Sequence, residues 1–100
     1  MKRIKSVNIL GVKYKIKYKD IANKEGQNYA GYCINHTSTI VIDTHLSPQI
    51  EKSAIVHEIV EAWNNRLELE LEHHKITQLE TAIFQLLQDN SDLIKYLTKK

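Results

Sequence analysis

The sequence predicts an α+β fold: a small sheet of three or four strands, antiparallel or mixed, packed on two main helices, with a short helix at the C-terminal end. Three observations predict it. Val12–Lys19 alternates strictly between apolar or aromatic residues and lysine, the period of a strand with one buried and one wet face. Beyond Ser47-Pro48 the apolar residues recur at helical spacing instead. No repeat or low-complexity linker interrupts the chain, so 1–100 reads as a single domain with a β-rich half, 1–46, and a helical half, 47–100.

Taken in order, 7–10 is expected to be a short strand ended by Gly11. In the next strand Val12, Tyr14, Ile16 and Tyr18 point one way, and Lys13, Lys15, Lys17 and Lys19 the other. The polar stretch 20–28, with Gly26, reads as a loop with room for a helical turn. Further strands are expected at 29–35 and 39–43, with His36-Thr37-Ser38 as the turn between them. Ser47 is placed to cap a helix that begins with Pro48 and runs to about Leu67. The alternating Leu and Glu of 67–72 read as a connector, with a short strand as the alternative. A second helix is expected over 74–88. Asp89-Asn90-Ser91 breaks it, and Ser91 caps a last helix to about Leu97.

Composition narrows the function classes. Apolar residues make up 42% and charged residues 26%, as in folded domains. No apolar run is long enough to span a bilayer, and the basic start, Met1-Lys2-Arg3, lacks the apolar stretch of a secretory signal. One cysteine, Cys33, fits a reducing compartment. A net charge of +2 argues against a dedicated nucleic-acid binder. The small core would gain from dimerisation, but no specific seam stands out.

The chemistry concentrates in His57-Glu58-Ile59-Val60-Glu61. On a helix that advances about 100° per residue, His57 and Glu61 lie one turn apart and about 40° from each other. Ile50 and Ala54 share their sector, and Ile55, Val56, Ile59, Val60, Ala62, Trp63 and Leu67 fill a broader one, so the helix is expected to be largely buried. A buried carboxylate needs a cation, a metal or a proton. On the second helix Ile76, Leu79, Ile83, Leu86 and Leu87 form a core arc, with Glu80 at its edge and His73 two turns earlier on the same side. Antiparallel packing brings Glu80 beside His57 and Glu61. Histidine and carboxylate are both zinc ligands, and an i, i+4 pair with one distant group leaves a position open for water. In the H-E-x-x-H arrangement the adjacent Glu, here Glu58, binds no metal and takes a proton from the attacking water.

The segments Tyr29-Ala30-Gly31, Ile40-Val41-Ile42-Asp43 and His57 to Ala62, with the later run Leu79 to Leu87, resemble small zincin-like metallopeptidase-related proteins encoded by phages and prophages, akin to the ImmA/IrrE-type zincins. The resemblance covers roughly residues 29 to 90. It implies a minimal zincin-like fold in the bacterial host cytoplasm. It also implies His57 as first ligand, Glu58 as general base, position 61 as second ligand and Glu80 as third. The family usually carries His at position 61, where this chain has Glu. A more negative set of ligands makes Zn²⁺ a weaker Lewis acid. Either His73 (or His74) supplies an imidazole as a further ligand, or activity is lost and the fold is kept for binding. A carboxylate-rich site also tolerates Mn²⁺ or Fe²⁺.

Two functions follow as expectations. One is a metal-dependent hydrolase, most simply a peptidase, whose protein or peptide substrate lies extended along 39–43 as an added edge strand. The other is a zincin-like phage accessory protein without turnover, which holds a structural metal and binds a host protein or nucleic acid. Elsewhere the plainer reading is favoured: the lysine row as a solvated strand face, Cys33 as a strand residue and no partner for His36, Trp63 and Phe84 as core, and Tyr14, Tyr18, Tyr29 and Tyr32 as packing residues.

Overall fold

A computed structural model describes residues 3–21 and 30–100. The expected 20–28 loop lies largely outside these residues, as does Tyr29. Four strands form one mixed sheet in the order β1-β2-β4-β3: β1 Ser6–Ile9, β2 Val12–Lys19, β3 Gly31–Ile34 and β4 Thr39–Asp43. β1 pairs antiparallel with β2, β2 parallel with β4, and β4 antiparallel with β3. Three helices follow, α1 Pro48–Arg66, α2 His73–Asp89 and α3 Ser91–Thr98. The α+β fold expected from the sequence is the one observed.

The β1–β2 hairpin turns on Leu10 and Gly11, both left-handed at φ 51° and 84°. A two-residue turn with positive φ at both positions matches the twist of the flanking strands. It pulls Leu10 out of the strand expected over 7–10 and leaves it 54% exposed. A leucine gains nothing here and carries the left-handed strain. Leu10→Asn is therefore expected to stabilise the fold by about 0.5–1 kcal/mol, read as a higher urea midpoint at unchanged slope.

β2 behaves as its alternation requires. Tyr14 and Ile16 are buried and Tyr18 half-buried, while all four lysines are exposed. The parallel register sets Ile16 beside Ile40 and Tyr18 beside Ile42, so one apolar face is shared by both strands. α1 crosses this face, with Ala54 and Ala62 fully in the core and Ile55, Ile59 and Trp63 packed around it. α2 then packs on α1. The helix that carries the motif is thus sandwiched between sheet and helix, as its two apolar sectors predict. Ile50 and Leu67, placed in those sectors, are more than half exposed because both sit at the ends of α1, past the reach of its neighbours. Among the described residues no helix is long and apolar enough to cross a membrane.

The ends of α1 are fixed by specific bonds. Ser47 caps it, its hydroxyl accepting from the Ile50 N–H at 3.4 Å, with Pro48 first in the helix. At the other end Arg66 donates to the Tyr14 hydroxyl and to Ser38 Oγ, which lies beyond a 3-10 turn over Asn35–Thr37. A cation at a helix C-terminus also favours the helix dipole. The connector after α1 holds two left-handed glutamates, Glu68 and Glu70, and forms no strand. Asn64 staples it, accepting from the Leu71 N–H at 2.9 Å and donating to the Leu71 carbonyl at 3.3 Å. Asn64→Ala loses both bonds and is expected to cost about 1–2 kcal/mol in chemical denaturation.

Three boundaries move by one residue or more. β3 spans less than the 29–35 expected. α2 begins at His73, and α3 has Asn90, not Ser91, in the cap position. Asn90 leaves helical backbone (φ −133°, ψ 58°), donates to the Leu86 carbonyl and accepts from the Ile94 N–H, serving both helix ends at once. A larger correction concerns the strand 39–43. β4 lies inside the sheet, hydrogen-bonded on both sides, so no substrate can add along it. The hydrophobic run Ile40-Val41-Ile42 is the mark of a strand buried on both faces, and all three residues are buried. Among the described residues the edge strands are β1 and β3.

Candidate metal centre

α1 presents His57 toward α2, and α2 answers with two groups. His57 Nδ1 donates to Glu80 Oε1 at 2.7 Å, and the second oxygen of Glu80 accepts from the Ser53 hydroxyl one turn earlier on α1. The antiparallel pairing continues along the helices, with Gln49 and Gln88 exchanging side-chain bonds. A carboxylate on Nδ1 orients the ring and turns Nε2 toward Glu61. Nε2 stands 3.8 Å from Glu61 Oε2. The His73 ring lies on the same side, 5.2 Å from the His57 ring between centroids.

His57, Glu61 and His73 thus each bring a ligand atom to within 4.8 Å of one another. Bonds of about 2.0–2.2 Å to a tetrahedral zinc place ligand atoms roughly 3.4 Å apart. The donors need to close by about an ångström, within the reach of a partly exposed Glu61 and an exposed His73. The residues fit a divalent ion: two imidazoles and one carboxylate. Glu80 stands outside this trio on the far nitrogen of His57, where it orients the ring, and so takes a different place from the ligand position expected of it. His74 turns elsewhere and meets only the exposed Glu72.

Glu58 is the buried carboxylate of the motif, 5% exposed. Burial pushes its pKa up to about 7; the His57 ring opposes the shift, and the carboxylates of Glu61 and Glu80 add to it. It lies where two clefts meet. One, of about 580 Å³, is walled by Tyr32, Asn35, Asn64 and Asn65. The other, of about 590 Å³, is walled by Ala30, Ile50, Ala54 and Phe84. Gly31, His57, Glu58 and His73 border both. Phe84 is therefore half-buried at a cleft wall, whereas Trp63 packs against the core as expected.

Gly31 closes the site against the sheet. A Cβ there would meet the Val41 carbonyl oxygen at 2.6 Å, so β3 lies against β4 only because this residue is glycine. Cys33, two residues further along β3, is half-buried; burial first, then Glu58 and Glu61, push its thiol up to about 11, with Arg66 opposing. It is a strand residue, as expected.

Sequence reasoning missed Ser53, because a serine one turn before His57 has no signal until Glu80 is placed. It also missed a second group, Asp20, Asp43 and His45, at the ends of β2 and β4. Asp43 is buried, which alone would raise its pKa; bonds from the Ile21 N–H and His45 outweigh this and lower it. This group ties the two strand ends together. No protein-family model, curated protein or solved structure matches the chain.

Proposed function

We propose that this protein is a metal-dependent hydrolase, with zinc as the ion that the donors suit best and a peptide-like carbonyl compound as substrate. One observation carries the reading: His57, Glu61 and His73 converge beside a buried Glu58 at the meeting point of two open clefts. Two imidazoles and one carboxylate with a free fourth position is the donor set of hydrolytic zinc sites. His73 thereby compensates for the glutamate at 61, where the resembled family has histidine. A bound divalent ion supplies positive charge that polarises a carbonyl and acidifies water.

The chain's own residues supply the rest. Glu80, braced by Ser53, holds the His57 ring in one tautomer and orientation. Glu58, buried beside the converging donors, can accept a proton from an attacking water and return it to a leaving group. The β3 edge beside the clefts would offer backbone groups to an extended substrate. The non-catalytic alternative needs four closed protein ligands; Glu80, engaged on Nδ1, is not among the converging donors, which favours the open site.

The test separates the two functions. Protein purified without a histidine tag is assayed for bound metal and for cleavage of a peptide library, alongside Glu58→Gln. The proposal expects unchanged metal content and a rate reduced by about 10²–10⁴-fold in the variant. Bound metal with no cleavage by the native protein of any peptide or small ester would instead support the structural role.

A further inference from the structure

We propose that the two clefts select a peptide cut inside its chain, with a bulky apolar residue on one fixed side of the cut bond, and that Ile50 and Phe84 read that residue. The inference rests on the hydrolase reading of the same site. It begins with the course of the clefts. Along α1 the apolar cleft takes Ile50 and Ala54, both clefts share His57 and Glu58, and the polar cleft takes Glu61 and Asn65. Along β3 the order is the same: Ala30 just before the strand, then the shared Gly31, then Cys33 and Asn35. The clefts therefore lie end to end, with the converging donors between them. From Ile50 to Asn65 α1 rises roughly 22 Å. An extended chain covers that length with about six residues at ~3.3 Å each. A bond cut at the middle has residues bound on both sides, so it lies within a chain and not at a terminus.

The two halves differ in what they offer. In the apolar cleft the polar side chains are engaged by the protein itself: Gln49 with Gln88, Ser53 with Glu80, and Glu80 with His57. Ile50, Ala54 and Phe84 are what a substrate side chain meets there. Ile50 is 54% exposed and Phe84 half-buried, so an apolar side chain between them removes surface of both from water. A polar side chain in the same place gives up its bonds to water and gains few in return.

The polar cleft is lined by side-chain amides. Asn35 Oδ1 already accepts from the Tyr14 hydroxyl at 3.0 Å and the Cys33 thiol at 3.5 Å, which leaves its amide N–H groups as the donors it can offer. Asn65 beyond it is exposed. Among the described residues no lysine or arginine lines either cleft, whereas Glu61 lines one and Glu80 the other. Acidic residues next to the cut bond are thereby disfavoured on both sides. The reaction needs water alone: its oxygen joins the carbonyl carbon as the C–N bond breaks, and a proton goes to the departing amine.

The zinc-loaded native chain, given a peptide library with cut sites read by mass spectrometry, tests the proposal. Cuts are expected within chains, with phenylalanine or leucine favoured over alanine by about 10–100-fold in kcat/KM at one position beside the bond. Ile50→Lys, at an exposed site where the fold is indifferent, should erase that preference and admit aspartate or glutamate. Phe84→Ala should lower kcat/KM about tenfold for the phenylalanine peptide and leave the alanine peptide unchanged. Asn65→Lys, in the other cleft, should keep the apolar preference. A native chain that binds zinc and cuts no peptide overturns the hydrolase reading and this inference with it. Cleavage without an apolar preference, cleavage only at chain ends, or a preference that Ile50→Lys leaves intact overturns this inference alone.

Discussion

Zinc is expected to raise the melting temperature of the metal-free protein by on the order of 10–20 °C at ion concentrations near 100 times Kd. The reasoning is linkage. The donors His57, Glu61 and His73 come from two helices and meet only in the folded state, so an ion that binds them stabilises that state alone. A stabilisation of about 2.7 kcal/mol at that saturation is large for a domain of this size, where each kcal/mol moves the midpoint by roughly 4–8 °C. Glu61→Ala and His73→Ala should each abolish the shift. Glu80→Gln should keep it but demand about 10–100-fold more zinc, because the ring orientation is lost and not the ligand. Scanning calorimetry with and without a chelator reads all four proteins. Equal zinc sensitivity in Glu61→Ala and the native chain would contradict the assignment.

The metal-free protein should lose stability as pH rises from about 5 to about 8, by about 2–3 kcal/mol, and Glu58→Gln should remove most of that loss. The sign follows from the direction of the shift. Burial raises the folded-state pKa of Glu58 from 4.5 to about 7. Between those values the folded chain holds a proton that the unfolded chain has released. Stability is therefore greatest below the unfolded value and declines as pH climbs through the folded one, the reverse of a salt-bridged carboxylate. His57 lies beside Glu58 and Glu80, and Glu61 and His73 face the same space; the difference between native and Glu58→Gln isolates the one carboxyl. Zinc should flatten that difference, since a nearby cation favours the ionised form. Urea midpoints across this range, with chelator and with zinc, give both results. A native profile identical to that of Glu58→Gln would mean that the carboxyl at 58 is solvated.

Much of the fold is legible because it rests on short-range patterns. The lysine alternation of β2, the Ser47-Pro48 start of α1 and the two-sided apolar surface of α1 each state their own burial. The interior place of β4 was also written in Ile40-Val41-Ile42, a run that does not alternate, though reading 39–43 as an edge passed over it. Exact turn chemistry was not legible: nothing local in Leu10, Glu68 or Glu70 announces a left-handed backbone, since glycine or asparagine usually holds such positions. At the site, helical periodicity brought His57, Glu61, Glu80 and His73 to one neighbourhood. It could not say which nitrogen of His57 each carboxylate would meet, because that depends on the azimuth of α2 about α1, a matter of tertiary packing. The same limit hid the exposure of Leu79 and Leu86, which belong to the apolar arc by pattern and to the surface by rotation.

The central claim is one ion on three side chains, and anomalous diffraction at the zinc edge from crystals grown with zinc tests it most directly. The account predicts a single strong peak within bonding distance of His57 Nε2, a Glu61 oxygen and a His73 nitrogen, with Glu80 still on Nδ1. A peak that engages Glu80 in place of His73, or none between α1 and α2 at saturating zinc, would contradict it.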